Sequence, residues 1–385
     1  MTEKIFLHDA YCRECTAHIT GKESKNGHCQ IRLNQTIFNP AGGGQPADHG
    51  TINGFPVQEL AATDNDIIHV LGQDPGEGEM HLQLDFQRRY DHMQQHSAQH
   101  LLSQVLLRLF DAATLSFAIG AEHASIEIGC AILNEEKIKA IENECARLIF
   151  ANLPIRVFES RDISALKLRK PPKMQGPIRV VEIEGFDQSA CGGTHLRSSA
   201  EIGLLKIIKT DHVRTNIRLY YAAGWRALND FQLKHEAMLR IQHSLTLPWL
   251  EIPAQVEKLL LEKDSLQRTL KKIQRRELEE EIAAAAAGSK NLIIREFSGL
   301  DSTDMRFFAV SLLNQGKHVV AYTQDPQKYI IIGSGQGNFD LRQINAQIFG
   351  LLGGKGGGRE NLLEGRAQDF SKLSEVIALL QASLT

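Results

Sequence analysis

Residues 89–103 read RYDHMQQHSAQHLLS, and this stretch decides how the chain is organised. Met93, His96, His100, Leu101, Val105 and Leu109 recur at helical spacing, which predicts a helix over about Asp91 to Leu109. On a helix, residues four apart share a face, so His96 and His100 can grip one ion together. Far downstream, Cys191-Gly192-Gly193-Thr194-His195 repeats the four-residue interval with a thiol at one end. Three imidazoles and a thiolate suit tetrahedral zinc. Spacing alone does not assign the four side chains to a single ion, because two remote segments supply them.

The rest of the chain sets the frame. Its 385 residues are too many for one ordinary core and suit two or three domains. Hydrophobic residues make up 42% and charged residues 23%, as in soluble globular proteins. No apolar run of 18 residues occurs, so no membrane span is expected. The start, MTEKIFLHDAYCRE, lacks the apolar stretch of a signal peptide. Six scattered cysteines do not form a disulfide framework, and a cytoplasmic setting is expected. A net charge of −3 neither demands nor excludes a nucleic-acid partner. Two basic clusters stand out, Arg88-Arg89 and Lys167 to Lys173, and such clusters are most often solvated surface.

The expected fold class is α+β. Residues 1–87 alternate apolar and polar over short runs and read as a β-barrel-like module with a glycine loop at Asn39 to Pro46. Residues 88–225 read as an α/β domain with a mainly antiparallel sheet. Residues 226–288 read as a helical or coiled-coil linker, with Ile252, Leu259, Leu266 and Ile273 at one heptad position and Val256 and Leu270 at the other. That seam suits an intrachain hairpin or a homodimer contact equally. Residues 289–385 alternate strands and helices around Gly353 to Arg359, a glycine run flanked by Lys355 and Arg359. Its exposed backbone amides would make either a phosphate cradle or a flexible surface loop. Cys130, Cys145, Trp225 and the phenylalanines read as packing.

A histidine-rich zinc site points toward catalysis rather than a closed structural site. Position 97 is Ser97, so the glutamate base of a His-Glu-x-x-His peptidase is missing. An activated ester is therefore a better substrate than a stable amide. Cys12 and Cys15, with His18, His28 and Cys29 nearby, raise a second zinc site in a less regular pattern.

With these residues in view, Arg89 to Ser103 resembles the histidine motif of the AlaX family of alanyl-tRNA editing proteins, shared with the editing domain of alanyl-tRNA synthetase. Cys191 to His195, followed by Ala200-Glu201-Ile202-Gly203, is similar to that family's second motif. Asn39 to Gly50 resembles its upstream glycine-rich segment. The final domain looks like the one shared by that synthetase and the DHH phosphoesterases, which suits the long type of AlaX. The resemblance covers nearly the whole chain in the same order. It implies one zinc per chain at His96, His100, Cys191 and His195, and trans-editing of tRNA(Ala) mischarged with serine or glycine, without ATP. Leu115 to Gly120 corresponds to a segment lining the amino-acid pocket, although Ala118 is smaller than the residue usual there.

Selection of serine over alanine needs a buried polar group that bonds the extra hydroxyl. Gln99, Ser116 and Thr194 are the candidates. Arg88, Arg89, Lys355 and Arg359 are the candidate contacts to tRNA phosphates. Two further readings stand beside this one: a tRNA-binding or dimerising protein with a purely structural zinc, and a zinc hydrolase of small esters or amides.

Overall fold

The computed structural model describes every residue of the chain except 26, 64, 171–176, 300, 326, 336–338 and 385. Lys173, at the end of the second basic cluster, lies outside the described residues. The chain divides into two compact units, Met1–Ser244 and Leu245–Thr385. It is mixed α and β, with antiparallel sheets and a six-stranded barrel.

The first unit begins with β1 (Glu14–Lys25), β2 (His28–Leu33), β3 (Gly50–Ile52), β4 (Phe55–Ala62), β5 (Ile67–Leu71) and β6 (Glu79–Leu84). These close into an antiparallel barrel in the order β1-β2-β5-β4-β3-β6. The two-residue period explains the closure. Along β6, Met80, Leu82 and Leu84 point inward while Glu79, His81 and Gln83 face solvent. Cys29, Ile31 and Leu33 do the same along β2. Closure leaves no edge strand to aggregate.

Asp85 then caps α1 (Phe86–Phe110) by accepting from Arg88 N at 3.1 Å. The segment is helical as its spacing predicts, but it is buried over most of its middle rather than along one stripe. Met93, Ala98, Leu101, Leu102 and Val105 pack into a core shared with Ile126, Ile128, Leu219 and Tyr221. A Leu101→Ala change there would cost about 2–5 kcal/mol. Several polar side chains on the other faces are paired, because an unpaired buried group is costly, although His92 Nδ1 and Gln104 Oε1 are buried without a partner among the described residues. Gln95 bonds both the N–H and the carbonyl of Ala223, each at 2.9 Å.

After α1 come β7 (Thr114–Ile119), β8 (Ala124–Ile128), α2 (Glu135–Phe150), β9 (Ile155–Ser160), β10 (Ile178–Ile183), β11 (Asp187–Ala190), β12 (Leu205–Val213), β13 (Asn216–Ala223) and α3 (Gly224–Leu245). One antiparallel sheet has the order β12-β13-β8-β7 and a second has β9-β10-β11. Strand β11 ends at Ala190 and delivers Cys191 directly. Cys145 is buried and Cys130 packs against the same core, as expected. Trp225 corrects the sequence reading: it is 60% exposed and is not core packing, and Phe150 and Phe231 are likewise exposed.

The second unit holds α4 (Ile252–Ala287), β14 (Leu292–Phe297), α5 (Ser302–Leu313), β15 (His318–Thr323), β16 (Tyr329–Gly333), α6 (Asn345–Leu351), β17 (Lys355–Arg359), β18 (Leu362–Arg366) and α7 (Leu373–Leu384). The sheet order is β14-β15-β16-β18-β17, with β14 and β15 parallel and the other pairs antiparallel. Alternate residues feed two cores. Val319, Ala321 and Ile331 meet α5 and the end of α4, whereas Val320, Ile330 and Ile332 meet α6 and α7. On α4, Ile252, Leu278 and Ile282 are buried, but the heptad residues Val256, Leu259, Leu266, Leu270 and Ile273 are exposed.

The glycine run 353–358 also corrects its reading. It is not a loose loop, because Lys355–Arg359 form an edge strand on β18. Glycine is needed there for close packing: a Cβ at Gly356 would enter the ring of Phe349, and one at Gly358 would meet the Leu362 carbonyl.

Candidate metal centre

Helix α1 and the turn after β11 bring His96, His100, Cys191 and His195 together, with their ligand atoms all within 4.8 Å of one another. Cys191 Sγ lies 3.4 Å from His96 Nε2 and 3.3 Å from His195 Nε2. Each imidazole is held from behind through its other nitrogen. His96 Nδ1 donates to Gln45 Oε1 at 2.9 Å, His195 Nδ1 faces Ser97 Oγ at 3.3 Å, and His100 Nδ1 faces Asp187 Oδ2 at 3.4 Å. That outer pairing fixes each ring's orientation and leaves the Nε2 atoms to converge with the sulfur. Among the described residues this is the one such group of three or more histidines, cysteines and carboxylates. Cys12, Cys15, His18, His28 and Cys29 do not form another.

The Cys191 turn is clamped by Arg179, whose Nη1 donates to the carbonyls of Cys191 at 2.7 Å and Gly193 at 2.8 Å. Gly193 has no room for a side chain, since a Cβ would strike the His96 ring and come within 2.8 Å of Gln45 Oε1. Gln45 comes from the upstream glycine loop. Gly42 and Gln45 bond each other's backbone at 3.0 and 2.9 Å, and Gly44, at φ +87°, has its carbonyl against Ile119 N at 2.8 Å. Gln45 also donates to Thr194 Oγ1 at 2.8 Å and accepts from Thr194 N at 3.2 Å.

Electrostatics favour the metal-binding protonation states. Burial pushes the Cys191 thiol up, but His96, His195 and hydrogen bonds from His100 and His195 outweigh it and hold it well below its ordinary value. Burial together with the His96 charge takes His195 down to about 3. A thiolate beside neutral imidazole is what a divalent ion needs, and the N₃S donor set with three oriented rings fits zinc. Burial opposes charge on His100, yet Asp187 and Cys191 raise it above its usual value.

A cleft of about 760 Å³ opens on one side of this cluster. His96, His100 and Cys191 line it together with Gln99, Phe117, Arg169, Lys170, Lys4 and the backbone of Asn39 to Gly43. Gln99 thus lines the cavity. Ser116 is not. It is exposed, it is absent from the lining, and its strand neighbour Phe117 takes the cavity side. Thr194 is fully buried and its hydroxyl is held by Gln45, so it supports the ligand shell instead of facing the cleft. Arg89 is the clearest correction. It has no exposed surface, bonds Asp48 through Nε at 3.0 Å, and donates to the carbonyls of Ala10 and Ile37 at 2.9 and 2.7 Å. It has nothing left for a phosphate. Arg88 is partly exposed, and Lys355 and Arg359 are exposed on β17. Sequence reasoning missed Gln45, Ser97 and Asp187 as ring-holding partners. Ser97 lies inside the histidine motif, but no spacing signal marks Asp187.

The family model described as the threonyl and alanyl tRNA synthetase second additional domain matches residues 178–220, from β10 through the Cys191 turn into β13. The match lies within the first unit and includes Cys191 and His195. Alanyl-tRNA editing protein AlaX-L of Pyrococcus horikoshii is 31% identical over 96% of this chain and 95% of its own length. Aarsd1, an alanyl-tRNA editing protein of Danio rerio, is also 31% identical, over 94% of this chain and 90% of its own. The chain belongs to the AlaX family of alanyl-tRNA editing proteins, in its long form. An alanine–tRNA ligase of Pyrococcus abyssi is 27% identical over 98% of this chain but only 43% of that enzyme. The C-Ala domain of Aquifex aeolicus alanyl-tRNA synthetase covers 25% of the chain and 93% of its own length, at 21% identity and a TM-score of 0.23. No helix among the described residues is long and apolar enough to cross a membrane.

Proposed function

We propose that this protein is an aminoacyl-tRNA hydrolase that edits in trans, cleaving the ester that joins serine or glycine to tRNA(Ala). The observation that carries the reading is the cleft against the His96/His100/Cys191/His195 cluster, in a chain whose relatives are alanyl-tRNA editing proteins. A purely structural zinc would have no use for a substrate-sized opening on three of its ligands.

One zinc ion per chain would sit on the four clustered side chains and supply Lewis acidity, which polarises an ester carbonyl and makes water a better nucleophile near neutral pH. The chain's own residues do the rest. Gln45, Ser97 and Asp187 keep the three rings aimed, so little reorganisation is needed at the moment of reaction. Arg179 fixes the Cys191 turn. Phe117 and the 39–43 backbone wall the cleft and restrict bulk water around the ester. Gln99 offers the cleft a polar group suited to a serine hydroxyl, and alanine would leave that group unpaired. The tRNA brings the ester into position, so proximity supplies much of the rate. Arg88, Lys355 and Arg359 are proposed phosphate contacts.

The test is deacylation of seryl-, glycyl- and alanyl-tRNA(Ala) by purified protein, with the metal content measured on the same sample. Release of serine or glycine that stops on chelation and returns with zinc is expected. Protein that carries one zinc and leaves all three esters intact would turn the assignment to a tRNA-binding protein with a structural metal.

A further inference from the structure

Gln99 enters the cleft with one half of its carboxamide already committed. Its Nε2 donates to Ser103 Oγ, one turn further along α1, at 2.8 Å. Thr114 Oγ1, at the first residue of β7, donates to the same oxygen at 2.7 Å. Behind it, the Thr114 carbonyl accepts from the Lys170 side chain. Gln99, Ser103 and Thr114 are 6%, 1% and 7% exposed, so water does not compete for this chain of bonds. A primary amide is a donor at one end and an acceptor at the other, so a partner that fixes the donor end decides what the other end offers. With Nε2 turned to Ser103, the end free for the cleft is Oε1, which can only accept.

We infer that Ser103 and Thr114 are positioning residues that present Gln99 to the cleft as a hydrogen-bond acceptor, and that the ester admitted is therefore one whose side chain carries a hydroxyl proton. This rests on the deacylase reading and sharpens it, because it separates the two candidate substrates. A seryl ester donates its hydroxyl to Gln99 Oε1. A glycyl or alanyl ester brings no donor and leaves a buried carbonyl unpaired, which is the arrangement by which polar sites reject analogues lacking the group they bind. The rank expected of the wild-type protein is seryl ahead of glycyl and alanyl.

The chain also predicts which substitutions lose that rank. Ser103→Ala removes the anchor for Nε2, and Thr114→Val removes the donor that holds Ser103. In either variant the amide is free to turn, and the cleft then meets an acceptor and a donor in turn. Thr114→Ser keeps the hydroxyl and serves as the rescue. Neither Ser103 nor Thr114 lines the cleft or belongs to the metal cluster, so each acts through Gln99.

The experiment measures kcat and KM for seryl-, glycyl- and alanyl-tRNA(Ala) with the full-length wild-type protein and the three variants, alongside zinc content and melting temperature. In Ser103→Ala and Thr114→Val, kcat/KM for the seryl ester is expected to fall by about tenfold or more relative to the glycyl ester, at unchanged zinc content. Thr114→Ser should restore the wild-type ratio. A seryl-to-glycyl ratio unchanged in both folded variants would overturn the inference. So would equal losses on both esters, which would mean that Gln99 reads the α-amino group they share. If Ser103→Ala does not fold, Thr114→Val decides alone. A wild-type protein inactive on all three esters would bring down the deacylase reading itself, whereas an active one insensitive to these substitutions brings down only the positioning role.

Discussion

Two glycine-rich runs, 42–44 and 353–358, look alike in the sequence and do opposite work. In the first, Gly44 takes a left-handed backbone and approaches the Phe117 carbonyl so closely that a Cβ would not fit. The result is a tight turn that brings Gln45 against His96 and Thr194. In the second, glycines flatten a strand so that it can lie over Phe349 and opposite Gly365. One run shapes the metal centre and the other closes a sheet. Glycine density alone therefore marks a place where backbone comes close to something, and only the tertiary neighbour says whether that is a ligand shell or a core.

The comparison breaks first at the metal. On the proposed mechanism, His96→Ala or Cys191→Ala should drop bound zinc below one per chain and reduce ester cleavage by about a thousandfold or more. Plasma emission spectroscopy and the deacylation assay read this together. Gln45→Ala is the finer probe of the first glycine run. It leaves the four ligands in place but removes the partner of His96 Nδ1, and should weaken zinc by about 10–100-fold in chelator competition. Gly356→Val is its counterpart in the second run. It should leave zinc affinity alone and destabilise the second unit by about 1–3 kcal/mol in denaturant melts, because the added carbon atoms enter the Phe349 ring. If Gly356→Val weakened zinc binding, the division of labour between the two runs would be wrong.

Much of the architecture was legible because it follows short-range rules. The barrel strands show their two-residue period, and α1 shows its helical one. The pairs His96/His100 and Cys191/His195 each mark candidate metal ligands through one interval, and the fold brings the four together. What escaped the sequence depends on partners far along the chain. Arg89 looks like a surface cation beside Arg88, yet Asp48, on the far side of the first glycine run, draws it fully inside. Ser116 looks available in the pocket segment, but strand alternation gives that side to Phe117. Asp187 carries no motif, and its role against His100 exists only once β11 is folded beside α1.

The two units differ in their response to acid. His69 is buried in the barrel beside Thr36, with Nε2 at 2.8 Å from Oγ1. Burial disfavours its charged form and takes it down to about 4, with a bond to the Ile31 backbone acting weakly the other way. His92 on α1 is also taken to about 4, first by burial and then by Arg88. An unfolded histidine titrates near 6.5. Between that value and about 4 the unfolded chain holds protons that the first unit refuses, so stability falls as pH drops through this window. His69→Gln should flatten that loss by about 1–3 kcal/mol, measured as the difference in unfolding free energy between pH 7 and pH 4.5. In the second unit His318 is lowered by partial burial alone, and its slope should be shallower.

The smallest effect tests whether the second glycine run has any part in substrate capture. Lys355 and Arg359 stand at the two ends of β17, exposed at the edge of the sheet. Because strand residues of the same parity share a face, the two cations project to the same side, separated by three glycines that add no bulk between them. A phosphate backbone could follow such an edge, and each neutralised phosphate should add about 0.7–0.9 to the slope of log affinity against log salt. Lys355→Ala with Arg359→Ala should then lower that slope by about 1.4–1.8 and weaken binding of tRNA(Ala) and unrelated tRNA alike, since phosphate contacts carry no sequence information. Arg88→Ala should lower it by about 1 at most, because its Nε is already engaged by the Ala47 carbonyl at 3.3 Å. An unaltered slope in the double variant would confine the edge strand to its structural duty and leave the first unit to hold the tRNA.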